Sequence, residues 1–370
     1  MAKMITCPTQ VTKEWLKETL QMNLKEDSIE VLQLEQFTVK NGVCSSTFKA
    51  QVKIKEKLQN LFIKSILDKD DPFRKSMDQN AMEKTEVQFY KTFLPQLIQY
   101  EKEKCQGKSE LEQEFAPKMF AADYCSDVEK RGFYLVMEDI SKQFDIVEDK
   151  GGLTLAQITN ALEKLARFHA ISYGFSKAYP DTVQDWDLEP KYEKFKSRNL
   201  NDFHKDFQAN VDMFTALDPT LKEPIEILGQ KIDEIYDKVY FLKDKPYLVH
   251  TDFWINNVLF SAENSRILDW QTLCFAHPAL DIAFMIGTGL SPKHMNQWTN
   301  QIIEKYFEKF QSSCQDINIE CPLTLDEVMD RTKTNGMMGL AIFVIVDWKV
   351  VKHKDRGLEA IRLAIKENTL

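Results

Sequence analysis

Between His250 and Trp270 the chain reads "HTDFWINNVLFSAENSRILDW", which sets Asp252, Asn257 and Asp269 inside apolar, strand-like sequence. Such polar groups are costly to hide from water unless they are paired or bind an ion. A hairpin turning at Ala262-Glu263-Asn264 would place Asn257 and Asp269 symmetrically about Glu263, facing each other across two strands. Cβ atoms of directly opposed residues lie about 4.5–5.5 Å apart, close enough for both side chains to share one cation. Oxygen ligands of this kind suit Mg²⁺, which takes one or two protein groups together with phosphates and waters. Asp252 falls in the loop before the pair, where its carboxylate is free to accept a proton.

His250-x-Asp252, four residues, Asn257, and then Asp269 after a short hairpin is also the spacing of a kinase catalytic loop and its metal-binding aspartate. That pattern makes demands upstream. It needs a strand lysine for the nucleotide phosphates, and "NLFIK" offers Lys64, which by alternation shares a face with Phe62 and Ile66. It needs a helix carboxylate to pair with the lysine. Glu86 lies on one helical stripe between Met82 and Phe89/Tyr90, where a charge is expensive unless paired. Pairing Lys64 with Glu86 removes both costs. A strand exit must offer backbone hydrogen bonds to adenine, and "YLVMEDIS" supplies Met137 and Glu138. The phosphate-covering turn falls in "KNGVCSS", where Gly42 permits the turn and Ser45 offers a hydroxyl, although a G-x-G-x-x-G is missing.

The elements that must hold these groups follow from the pattern of the rest of the chain. A chain of 370 residues can bury one large core or form two lobes. The 43% apolar content excludes a disordered chain, and the net charge of -9 argues against a nucleic-acid binder. Seven scattered cysteines without a C-x-x-C pair give no zinc ribbon or disulfide framework, as expected for a reduced, cytoplasmic protein. The first twenty residues lack the apolar core of a signal peptide. "GMMGLAIFVIVDW" is too short to span a bilayer and reads as a buried helix.

A helix is expected from Thr12, then strand, a turn at Asn41-Gly42, and strand. "NLFIKSI" is a further strand, and a helix runs from Met82 to Ile98 with Pro95 ending or kinking it. "KRGFYLVMEDIS" is a strand. Beyond it, Thr154 and Gln157 form a capping box for a helix whose apolar face is Ile158, Leu162, Leu165 and Phe168. The expected architecture is α+β, with two parts: residues 1–140 built on an antiparallel sheet and one long helix, and residues 141–370 mainly helical around the catalytic hairpin.

With these segments in view, the chain resembles the ecdysteroid kinase-like (CHK kinase-like) family, related to choline kinases and aminoglycoside phosphotransferases. The resemblance rests on "MEKTEVQFYKTFLP", "YLVMEDIS", "LEKLARFHA", "LVHTDFWINNVLF", "RILDWQ" and "HPALDIAFMI", and is most specific from His250 to Asp281. It implies a bilobal protein-kinase-like fold with ATP and Mg²⁺ as cofactors. It implies Asp252 as catalytic base, Asn257 and Asp269 as metal ligands, and Lys64 on the phosphates with Glu86 holding it. Asp281 resembles the buried aspartate that braces the catalytic loop, and His250 an orienting residue of that loop. Thr251 departs from the family, which usually has glycine there, and Gln271 replaces the glycine of the kinase motif.

The expected reaction is transfer of the γ-phosphoryl group of ATP to a hydroxyl of a small, lipophilic organic acceptor, ecdysteroid-like or xenobiotic. A non-catalytic nucleotide- or ligand-binding protein on the same fold is the alternative. Only residues 270–280 separate Asp269 from Asp281, and no A-P-E follows, which leaves no peptide-binding platform of the protein-kinase kind. A metal hydrolase is disfavoured because no histidine cluster has ligand spacing. Tyr173, Phe175, Trp186 and Phe214 either line an acceptor pocket or form ordinary core, and His169 reads as a packed core histidine. Neither a membrane span nor a nucleic-acid partner is expected, and the oligomeric state is left open.

Overall fold

The computed structural model describes residues 3–37, 45–71, 74, 82–127, 130–147, 151–186, 188, 207–208, 210–231, 234, 247–262, 264–346 and 354–367. Its contacts divide the chain into two units. The first comprises Met1–Gln96, Ala116–Asp145 and Leu268–Thr272, and the second Leu97–Phe115, Ile146–Ile267 and Leu273–Leu370.

The first unit is built on helix α1 (Lys13–Leu24) and strands β1 (Ile29–Phe37), β2 (Ser46–Ile54), β3 (Lys57–Ser65), β4 (Met119–Cys125) and β5 (Gly132–Glu138). Thr12 caps α1 by accepting from the Trp15 amide at 3.1 Å, the N-cap role expected of threonine. The sheet is antiparallel in the order β1-β2-β3-β5-β4. Inside the sheet, β5 has neighbours on both sides and is buried along Gly132–Met137, which explains its unbroken apolar run. In β3, Leu61, Ile63 and Ser65 are buried while Phe62 and Lys64 are half-buried. The β2–β3 turn puts Lys55 and Glu56 both at positive φ, 47° and 63°, the backbone that a two-residue hairpin demands.

Helix α2 runs through Met82–Gln88, a π-turn at Phe89–Phe93, and Leu94–Lys104. Pro95 neither ends nor breaks it. A proline in a regular helix clashes with the carbonyl four residues back, and the wider π-turn, closed by Leu94 N–H to Phe89 O, takes up the mismatch ahead of it.

In the second unit α3 (Leu155–Ala178) and α5 (Pro292–Asp316) pack together, with α4 (Ala279–Gly289) against both. The capping box of α3 is formed, Gln157 N to Thr154 Oγ1 at 3.2 Å and Thr154 N to Gln157 Oε1 at 3.0 Å. Ile158, Leu162, Leu165 and Phe168 are all buried. Every residue of α4 is buried, as expected of a helix that is apolar all round. A π-turn at Thr332–Gly336 crosses its start. A Cβ on Gly336 would lie 2.6 Å from Ala279 O, so glycine is what allows this approach. The expected buried helix is present as Met337–Val346. Short strands β6 (Tyr247–Val249) and β9 (Cys274–Ala276) pair, as do β7 (Val258–Phe260) and β8 (Ser265–Ile267). Among the described residues no helix is long and apolar enough to cross a membrane.

Candidate active site

In the first unit, β3 and α2 meet around a half-buried cation. Lys64 Nζ donates to Glu86 Oε1 at 2.7 Å and to Asp269 Oδ1 at 2.6 Å. Glu86 is 2% exposed, so its charge depends on this pairing. Burial opposes the Lys64 ammonium, yet the Asp269 and Glu86 carboxylates outweigh it and hold its pKa well above the ordinary lysine value. Burial pushes the Glu86 carboxyl up to about 7 against the attraction of Lys64, and the negative charge of Asp269 adds to the push. Asp269 sits at φ 64°, a left-handed conformation that aspartate tolerates better than most residues. Trp270 anchors it from the next position, stacked on Phe89 of α2 with centroids 4.2 Å apart and planes 8° from parallel.

The second unit carries the loop after β6. Asp281 of α4, fully buried, accepts from His250 N through Oδ2 at 2.7 Å and from Thr251 N through Oδ1 at 2.8 Å. Thr251 lies at φ 64°, where a β-branched residue is a conformational outlier. The difference from glycine noted in the sequence is therefore a real local cost. His169, fully buried on α3, has Nδ1 2.7 Å from the Tyr306 hydroxyl and Nε2 3.3 Å from Asp281 Oδ2. Burial lowers its pKa, only partly countered by Asp281, so the ring is neutral near pH 7. His250 Nδ1 accepts from Asp252 N at 3.3 Å, an interaction that fixes the loop's turn.

Asn257 Nδ2 donates to both Asp252 O and Asp252 Oδ2, each at 2.9 Å. Its amide nitrogen is thereby committed to Asp252 and its carbonyl oxygen is left as the ligand-competent atom. An amide oxygen is a donor that suits a hard divalent cation, which needs oxygen ligands and few protein groups. Among the described residues no cluster of three or more His, Cys, Asp or Glu could hold a metal by itself.

Several expectations change. The hairpin register is Val258↔Ile267, Leu259↔Arg266 and Phe260↔Ser265. That is one residue away from the register that would make Asn257 and Asp269 a cross-strand pair, and the ladder ends before either. The irregular Ile255–Asn257 turn and the left-handed Asp269 replace regular pairing. At the exit of β5, Glu138 N donates to Lys118 O at 2.8 Å and Asp139 N to Asn60 O at 2.9 Å. The Glu138 amide is thus already engaged. The Ile140 amide, which sequence reasoning missed, makes no hydrogen bond among the described residues. Met137 stays inside the ladder, opposite Phe62 and Met119. Gly42 lies outside the described residues, and Ser45 is a half-buried bend preceding β2. Of the four aromatics, Phe175, Trp186 and Phe214 are buried, and Phe175 stacks on Trp186 at 5.2 Å, which is core packing.

The family model described as the ecdysteroid kinase-like family matches residues 40–319. The chain belongs to that family. Among solved structures it is similar to a spectinomycin phosphotransferase complexed with ADP and spectinomycin, at 14% identity and TM-score 0.51, covering 97% of this chain and 96% of that one. It is also similar to a choline kinase from Cryptosporidium parvum Iowa II, at 15% identity and TM-score 0.50, covering 96% and 94%. At these identities the likeness establishes a shared α+β, bilobal kinase-like fold. No curated protein matches the chain.

Proposed function

We propose that this family member is an ATP-dependent small-molecule kinase that phosphorylates a hydroxyl of a small, lipophilic organic acceptor. The observation that carries the reading is the half-buried Lys64 ammonium clasped by Glu86 and Asp269. Glu86 holds its charge where structure alone would favour an apolar side chain, and a nucleotide phosphate is the ligand that the ammonium it pairs with serves. Residues 1–140 cover the nucleotide, with the Glu138 carbonyl and the Ile140 amide facing adenine and the Ser45 hydroxyl serving the phosphates. Residues 141–370 supply the catalytic loop and the acceptor pocket.

Magnesium ATP supplies the transferable phosphoryl group and the cation that offsets its charge, with Asn257 and Asp269 as the oxygen ligands. Asp252 orients the acceptor hydroxyl and takes its proton, and Asn257 Nδ2 holds the Asp252 carboxylate in place. Asp281 holds the His250 and Thr251 amides, and through them the loop. The short link between Asp269 and Asp281 favours a small molecule over a peptide. A general base contributes about 10²–10⁴-fold, roughly 3–5 kcal/mol of barrier.

The test uses γ-labelled ATP with Mg²⁺ and pooled hydroxylated steroids, amino alcohols, sugars and plant glycosides, with Asp252→Asn beside the native protein. Label passing to one pool, at least about 100-fold faster with native protein, supports the reading and names the acceptor class. Tight Mg·ATP binding without transfer to any pool would favour the non-catalytic binding protein. Equal transfer by Asp252→Asn would remove Asp252 from the base role.

A further inference from the structure

Helix α2 sets another polar group beside the Lys64–Glu86–Asp269 cluster. Tyr90 follows Glu86 by one helical turn and is 3% exposed. Its hydroxyl has no hydrogen-bond partner among the described residues. The charges of Glu86, Lys64 and Asp269 all act on it. Phenylalanine would fill the same space without leaving a buried hydroxyl unsatisfied, a defect that costs stability and that native proteins hold rarely. Glu86 has the complementary gap. It meets Lys64 through Oε1, and no described residue donates to Oε2. A donor and an acceptor four residues apart on one helix are neighbours on its surface.

We propose that Tyr90 is a positioning residue for Glu86, its hydroxyl donating to Glu86 Oε2 in the Mg·ATP complex and remaining unbonded in the free protein. The inference rests on the kinase reading. The Lys64 ammonium has three donors, and two now serve the Glu86 and Asp269 carboxylates. A phosphate that claims Lys64 weakens its hold on Glu86, and a buried carboxylate that loses part of its only cation needs another donor to stay charged. Asp269 can only accept. Tyr90 is the neutral donor on the same helix, and its position accounts for a hydroxyl that does nothing in the free protein.

The experiment compares native protein, Tyr90→Phe and Tyr247→Phe by thermal unfolding and by calorimetric titration with Mg·ATP. Tyr247 is the control, since its buried hydroxyl also lacks a partner but belongs to β6. Tyr90→Phe is expected to melt no lower than native protein when free and to bind Mg·ATP about tenfold more weakly, about 1.4 kcal/mol. Tyr247→Phe is expected to match native protein in nucleotide affinity. Affinity of Tyr90→Phe within about twofold of native overturns the proposal. So does a lowered melting temperature of free Tyr90→Phe, which would mean the hydroxyl is already bonded. Native protein that binds no Mg·ATP overturns the kinase reading itself, and this inference falls with it.

Discussion

Replacing Asp281 with asparagine removes one of the two oxygens that hold the catalytic loop. In the native chain Oδ2 accepts from His250 N and Oδ1 from Thr251 N, at 2.7 and 2.8 Å, with no solvent access. The asparagine amide must set its NH₂ against one of those N–H groups, donor to donor. A buried amide left unpaired costs about 1–3 kcal/mol. The surviving bond loses its charge assistance, which about halves its strength and costs roughly 1 kcal/mol more. Removing a buried charge returns part of this, so a net loss of about 2 kcal/mol is expected. Urea unfolding at pH 7 measures it, with the m-value compared to confirm that both proteins expose the same surface. On the proposed kinase reading, the same substitution should lower phosphoryl transfer far more than Mg·ATP affinity, because the loop carries the proposed base Asp252 and not Lys64. Thr251→Gly in both backgrounds adds a second check. Thr251 N is one of the two amides at stake, so the pair should couple by more than about 0.5 kcal/mol. A stability loss below about 1 kcal/mol, or strict additivity with Thr251→Gly, would refute the bracing role.

Thr251 itself gives a reversal of sign. At an ordinary position glycine is less stable than alanine by about 0.5–1 kcal/mol, whereas at φ 64° an L side chain pays roughly 1–2 kcal/mol. Thr251→Gly should therefore be more stable than Thr251→Ala by roughly 1 kcal/mol in denaturant unfolding, and the opposite order would show that the loop is not left-handed in solution. The Glu86 carboxyl, held up to about 7, titrates higher folded than unfolded. The folded state thus binds the extra proton between about pH 4.3 and 7, and stability falls as pH rises through that window. Glu86→Gln removes this slope, so the stability difference between native protein and Glu86→Gln should shift against the native protein across the window; a pH-independent difference would contradict the assignment.

What the sequence made legible was mostly local. Thr12, Thr154 and Gln157 announce helix starts because capping needs only a few neighbouring residues. Lys64 and Glu86 were readable because each is a charge on an apolar face, and two such misfits invite pairing. Strand β4, "MFAADYC", went unseen because it lacks β-branched residues and alternation; its pairing with β5 makes it a strand. The π-turn in α2 carries no composition signal apart from Pro95, which a local rule takes as an end or a kink because it does not foresee a wider turn upstream. Lys55 and Glu56 adopt positive φ without Asn or Gly, imposed by the β2–β3 register. The register of the catalytic hairpin was missed by one residue, since its turn sequence fits either alignment. Ile140 escaped notice because backbone donors have no sequence signature; the engaged amides of Glu138 and Asp139 single it out.

The tolerance of threonine at position 251 follows from the same accounting as its cost. Two charge-assisted hydrogen bonds from Asp281, each worth about 1.5–3 kcal/mol, act on the adjacent amides of His250 and Thr251. A left-handed threonine costs less than that pair contributes, so the loop keeps its shape without glycine as long as both bonds to Asp281 are made. His169 sits 3.3 Å from Asp281 Oδ2, and Tyr306 holds the other face of the ring. The packing of α3 and α5 therefore shields the carboxylate from water. Asp281, with the His250 ring nitrogen that accepts from the Asp252 amide at 3.3 Å, holds the reversal of the chain ahead of Asp252.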